Sequence, residues 1–114
     1  MYLYYNRPSD WKIEQEIKIN PTGLINTPKF IRPDAQFTRN GIYHFLEVDR
    51  TQSMNENKNK IQQYAELDIA IQKQFKHKPV IVFYTFTPLR RDNLKAICKQ
   101  HNLSCEIYAK EDLR

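Results

Sequence analysis

Asp34 and Glu47 are the residues of this chain best placed to do chemistry. Asp34 lies in the run Phe30-Ile31-Arg32-Pro33-Asp34-Ala35-Gln36-Phe37-Thr38, and Glu47 in Ile42-Tyr43-His44-Phe45-Leu46-Glu47-Val48-Asp49. Arg39-Asn40-Gly41 joins the two runs. Asn-Gly between apolar-rich stretches signals a hairpin with a two-residue type I′ turn. That turn pairs Arg39 with Ile42 and, stepping outward, Asp34 with Glu47. Like charges directly opposite on a sheet are destabilising, so something must neutralise them. One candidate is a hard divalent cation, Mg²⁺ or Mn²⁺, which takes one or two carboxylates and completes its shell with water and phosphate. The other is a buried basic side chain. A metal there could activate water and stabilise a phosphodiester transition state. Glu14 or Glu16 could add a third acid, and Lys60 could orient the water or stabilise phosphate charge.

Other ionisable residues carry plainer readings beside functional ones. The same register sets Arg32 across from Asp49, a cross-strand ion pair. Glu14, Glu16 and Lys60 also suit solvated helix faces. His44, on the apolar face of the hairpin, reads as partly buried and structural, and His77 and His101 as loop and helix-end residues. Arg90 and Arg91 fall in the first turn of a helix, where cations oppose the macrodipole at a cost of about a few tenths of a kcal/mol. With Lys95 they are candidates for nucleic-acid binding through phosphates, which is salt-dependent and sequence-independent. A solvated surface is the alternative. Cys98 and Cys105 show neither zinc spacing nor a disulfide framework and read as small packing residues.

The elements that must position these groups follow from pattern. Residues 9–19 predict a short helix capped by Ser9 or Asp10, with Trp11, Ile13 and Ile17 inward and a strand possible near its end. Residues 20–28 are loop, with a turn at Gly23 and a brief strand at Leu24-Ile25. The hairpin covers 29–38 and 42–49, its apolar face carrying Ala35, Phe37, Leu46 and Val48. Tyr43 and Phe45 share the other face with the carboxylates. Ser53-Met54-Asn55-Glu56 is a capping box opening a helix that runs to about Phe75, with Ile61, Tyr64, Leu67 (or Asp68), Ile71 and Phe75 recurring at helical spacing. Lys60 stands one turn before Tyr64 on the same side. Pro79 to Tyr84 is a central strand covered on both faces. Thr87-Pro88 opens a second helix ending near Asn102, and residues 104–108 form the last strand. The strand-helix-strand order of the second half implies parallel pairing. The fold class is therefore α/β, a mixed sheet with helices on both faces.

The 114 residues suit a single domain, and 40% apolar content supplies its core. No apolar run approaches a membrane span and no signal peptide is evident, so a cytoplasmic protein without a membrane partner is expected. The net charge of +5 permits a polyanionic partner without requiring one.

Arg32-Pro33-Asp34-Ala35, Phe45-Leu46-Glu47-Val48-Asp49-Arg50-Thr51 and Lys60-Ile61-Gln62-Gln63-Tyr64 together resemble the replication-relaxation family of bacterial plasmids, conjugative elements and phages. Trp11-Lys12-Ile13-Glu14 is similar to that family's tryptophan-then-glutamate segment. The resemblance covers about residues 9–85. It implies a restriction-endonuclease-like, PD-(D/E)xK-type fold with an αβββαβ core. On that likeness residues 1–114 form one nuclease-like domain, either the C-terminal domain of a longer protein or a shortened relative without the upstream winged helix. Asp34 would match the Asp of the motif and Glu47 its second acid, both binding Mg²⁺ (or Mn²⁺), with Glu14 assisting. The chain departs from the motif at Asp49, where the pattern calls for Lys; some relatives supply that Lys from the following helix, and Lys60 is the candidate. The implied function is a Mg-dependent endodeoxyribonuclease that binds DNA, and domains of this type are often homodimers. A catalytically inactive DNA-binding, dimerisation or regulatory module of the same fold is the alternative.

Overall fold

The hairpin forms around Asn40 and Gly41, whose φ values of 55° and 77° are both left-handed, as a type I′ turn requires. A computed structural model of the protein describes residues 5, 7–19, 29–51 and 53–113. Strand β1 spans Lys12–Ile13, β2 Ile17–Ile19, β3 Lys29–Ile31, β4 Ala35–Arg39 and β5 Ile42–Val48. Helix α1 (Met54–Phe75), β6 (Val80–Thr85), α2 (Pro88–Gln100), β7 (Ser104–Ala109) and a 3₁₀ turn at Lys110–Leu113 follow. The expected turn at Gly23 and strand at Leu24-Ile25 lie outside the described residues.

The main sheet has the order β1-β4-β5-β6-β7, and β2 and β3 form a separate two-stranded ribbon. β4 and β5 pair antiparallel in the expected register, from Arg39↔Ile42 out to Ala35↔Leu46. β5, β6 and β7 are parallel neighbours, so the second half is the anticipated pair of crossovers. The sheet is thus mixed, in an α/β protein.

Two expectations are corrected. Both helices cover the same face. Ile61, Tyr64, Leu67 and Ile71 of α1 join Leu94, Ile97 and Cys98 of α2 in one core with Phe45, Ile81, Phe83 and Ile107. Right-handed crossovers that step in the same direction across a sheet place their helices on one side. The opposite face carries Ala35, Phe37, Leu46 and Val82, covered by Tyr5 and Trp11. The segment at 9–19 is not a helix. Its Lys12 and Ile13 pair with Gln36 and Ala35, extending the sheet beyond β4. Trp11 stacks on Phe37 at 5.4 Å, and the Asp10 carboxylate accepts from Thr38 N–H and Oγ1. Glu14 adopts φ of 52° and breaks the strand before β2. Contacts with β4 outweigh a weak local helix preference. Among the described residues no helix precedes Met54, so the αβββαβ order lacks its first element there.

The helix ends follow the sequence closely. Ser53 Oγ accepts from Glu56 N–H at 3.2 Å, and Thr87 Oγ1 from Arg90 N–H at 3.2 Å. No helix among the described residues is long and apolar enough to cross a membrane.

A Cβ at position 41 would meet no neighbour, so the cost of adding one there is conformational alone. Gly41→Ala should lower the unfolding free energy by about 1 kcal/mol. Urea denaturation checks this, and an unchanged midpoint would contradict the turn assignment.

Candidate active site

Asp34, Glu47 and Lys60 meet in one cleft of about 280 Å³ where the ends of the hairpin pass beneath α1. Arg32, Val48, Arg50, Glu56, Asn57 and Phe83 complete its lining. The two carboxylates therefore converge, although the ladder ends one residue short of them. Asp34 N–H donates to Leu46 O at 2.9 Å, and its carboxylate accepts from Val48 N–H at 2.7 Å. Pro33, just upstream, has no N–H to continue a ladder. This ending also takes Arg32 away from Asp49, so the expected ion pair between them does not form.

Glu47 is nearly buried on the helix-covered face. Tyr64 Oη donates to its Oε1 at 2.5 Å, and Lys60 Nζ stands 3.3 Å from the same oxygen. Burial pushes the Glu47 carboxyl up to about 7, and nearby Asp34 adds to the rise, while Tyr64 and Lys60 pull against it. Burial, then Glu47 itself, push the Tyr64 phenol well above its usual range, so Tyr64 is a donor at any ordinary pH. Lys60 also donates to Arg32 O at 3.2 Å, which fixes its ammonium over the cleft. Arg50 Nη1 lies 3.3 Å from Asp34 Oδ2. A basic side chain thus stands beside each acid, partly buried Lys60 at Glu47 and exposed Arg50 at Asp34, rather than the buried one expected.

Asp49 occupies the position where the nuclease pattern has Lys, and it is fully buried. Arg90 grips it with Nε at 2.6 Å and Nη2 at 2.9 Å, Thr85 Oγ1 donates at 2.8 Å, and Asn57 Nδ2 at 3.4 Å. Burial alone would raise the Asp49 carboxyl, but these donors outweigh it and hold it below the usual range. Its own N–H continues the parallel ladder to Tyr84 O at 2.8 Å. One carboxylate therefore ties the end of β5 to α1, β6 and α2.

The other residues singled out by sequence lie elsewhere. Glu14 touches Asp34 only through the backbone, its N–H donating to Asp34 O at 3.1 Å. Its carboxylate points to Arg32 at 3.5 Å, with both side chains well exposed. Arg90 is engaged by Asp49, and Arg91 by Asp112 at 2.8 Å and Asp92 at 3.1 Å. Lys95 lines a separate groove with Cys98, Lys99 and Cys105. Arg50, Arg32 and Tyr64 were missed as site residues. Only Tyr64 carried a signal, one turn after Lys60 on the same helix face.

The donor set suits a hard cation of the Mg²⁺ class, with two carboxylates on an open cleft and room for water. Among the described residues no group of three His, Cys, Asp or Glu gathers. The chain matches no family model, no curated protein and no solved structure.

Two predictions follow from the buried acids. A carboxyl raised on folding binds its proton more tightly in the native state, so its contribution is full below about pH 4.5 and is lost as pH rises through about 7. In metal-free buffer, urea titrations should show the protein losing up to roughly 3 kcal/mol between pH 5 and pH 8. Glu47→Gln should remove most of that slope; equal slopes in both proteins would show Glu47 ionised throughout. Asp49→Ala leaves Arg90, Thr85 and Asn57 without their acceptor and should cost about 3–5 kcal/mol by the same titration. A loss below about 1 kcal/mol would mean the network is dispensable.

Proposed function

We propose that this protein is a nuclease-like domain that binds DNA and cleaves phosphodiester bonds with a divalent metal. The supporting observation is the convergence of Asp34, Glu47 and Lys60 in one cleft, with Lys60 delivered from α1 to the Glu47 carboxylate. This arrangement answers the departure at position 49, because a cation from the helix does the work of the missing strand lysine. The likeness to the replication-relaxation family points to a restriction-endonuclease-like relative acting in the bacterial cytoplasm on behalf of a plasmid, conjugative element or phage.

Asp34 and Glu47 would hold Mg²⁺ or Mn²⁺, which supplies an activated water and charge neutralisation at the phosphate. Tyr64 orients Glu47 by donating to one of its oxygens. Lys60, whose ammonium stands 3.3 Å from the Glu47 carboxylate, would supply positive charge to a phosphate bound beside it. Arg32 and Arg50, both exposed at the rim, are suited to hold the flanking phosphates. With the metal bound, Arg50 would be released from Asp34 towards phosphate.

One observation favours a second reading. Lys60 and Arg50 already neutralise both acids without a metal, as in a non-catalytic DNA-binding, dimerisation or regulatory module.

Incubation with supercoiled plasmid and Mg²⁺ or Mn²⁺ separates the two. Nicking should occur, should be abolished by Asp34→Ala and Glu47→Gln, and should fall about 100-fold or more in Lys60→Ala. No nicking at any concentration of either metal, with a gel shift that weakens steeply in salt, would establish the second reading instead.

A further inference from the structure

A second groove, of about 530 Å³, runs beside the carboxylate cleft between α1 and β3. Its lining is Phe30 from β3 and Asn59, Gln62, Gln63 and Glu66 from α1. The α1 residues recur at three- and four-residue spacing, so they form one stripe along the helix. Among the described residues, Asn59, Gln62 and Gln63 have no side-chain hydrogen-bond partner. Phe30 is 50% exposed, so its ring is open to a ligand in the groove.

The groove and the cleft are neighbours along α1, Asn57 and Lys60 lining the cleft and Asn59, Gln62 and Gln63 the groove. Lys60 Nζ reaches Arg32 O, two residues along the chain from Phe30. Gln63 follows Lys60 by three helical residues, or about 4.5 Å along the axis. Successive nucleotides of a stacked strand are spaced by about 3.4 Å. A strand with one phosphate under Lys60 would therefore present a neighbouring base to the groove.

The chemistry of the lining fits a base rather than a phosphate. The groove contains no Lys or Arg and carries one carboxylate. An exposed aromatic ring stacks on any nucleobase, because every base has a π-face. Side-chain amides offer donor and acceptor together, and Asn or Gln pairs bidentately with adenine. A base inside a duplex is already stacked on both sides and cannot enter such a groove.

We infer that this groove binds an unpaired nucleobase, adenine foremost, of a DNA strand whose phosphate lies in the adjoining cleft. The substrate class is then single-stranded or locally opened DNA. The inference rests on the nucleic-acid reading above and deepens it.

Fluorescence anisotropy of labelled oligo(dA), oligo(dT) and a blunt duplex, in EDTA at low salt, tests this apart from cleavage. The protein should bind oligo(dA) more tightly than the other two. Phe30→Ala should weaken oligo(dA) binding roughly 5- to 100-fold, the range of one base stack, and leave duplex binding unchanged. Phe30→Trp should retain binding, and Gln63→Ala should reduce the preference for oligo(dA). Should Phe30→Ala misfold by circular dichroism, the Trp and Gln63 variants carry the comparison. If Phe30 and Gln63 variants bind like the parent while Arg50→Ala weakens every ligand, the base site is overturned and the DNA reading stands. If the parent binds no oligonucleotide, both are overturned.

Discussion

Asp49 is the charge on which the rest of the site depends. A fully buried carboxylate is tolerable only when its oxygens are filled, and Arg90, Thr85 and Asn57 fill them. Those donors come from α2, the end of β6 and the first turns of α1. The same contact therefore fixes the height of α1 over the sheet, and with it the place of Lys60 and Tyr64 above Glu47. Asp49 thereby anchors the helix that carries Lys60 and Tyr64 to Glu47.

That anchoring explains how two acids coexist. Glu47 sits under α1, where burial disfavours its charge, and α1 answers with a phenol and an ammonium. Asp34 lies at the mouth, half-buried, and is answered by Val48 N–H and by Arg50. The inner acid is tuned by the helix and the outer one by the chain following β5. A cation entering the cleft would take over part of both tasks.

The hairpin was legible because its determinants are local. Asn40-Gly41 sets the turn, the alternation of Ala35, Phe37, His44 and Leu46 sets the register, and Asp34 and Glu47 follow from that register. The caps Ser53 and Thr87 marked both helix starts for the same reason. Where tertiary contacts decide, the sequence was silent or misleading. Trp11 and Ile13 have a helical look in isolation but serve β4 and Phe37. Both helices share one face because of crossover direction, which no residue encodes. Arg90 reaches Asp49 across a separation of 41 residues, and nothing local distinguished it from Arg91. Arg50, the cation on Asp34, had no pattern to announce it.

The proposed function requires the Asp34 and Glu47 carboxylates to form one hard-cation site. Anomalous scattering from a Mn²⁺-soaked crystal tests it most directly. A single peak is expected in the cleft, within about 2.1 Å of an oxygen of each carboxylate, with Arg50 displaced from Asp34. An empty cleft at high Mn²⁺, with Lys60 and Arg50 still paired to the two acids, would contradict it.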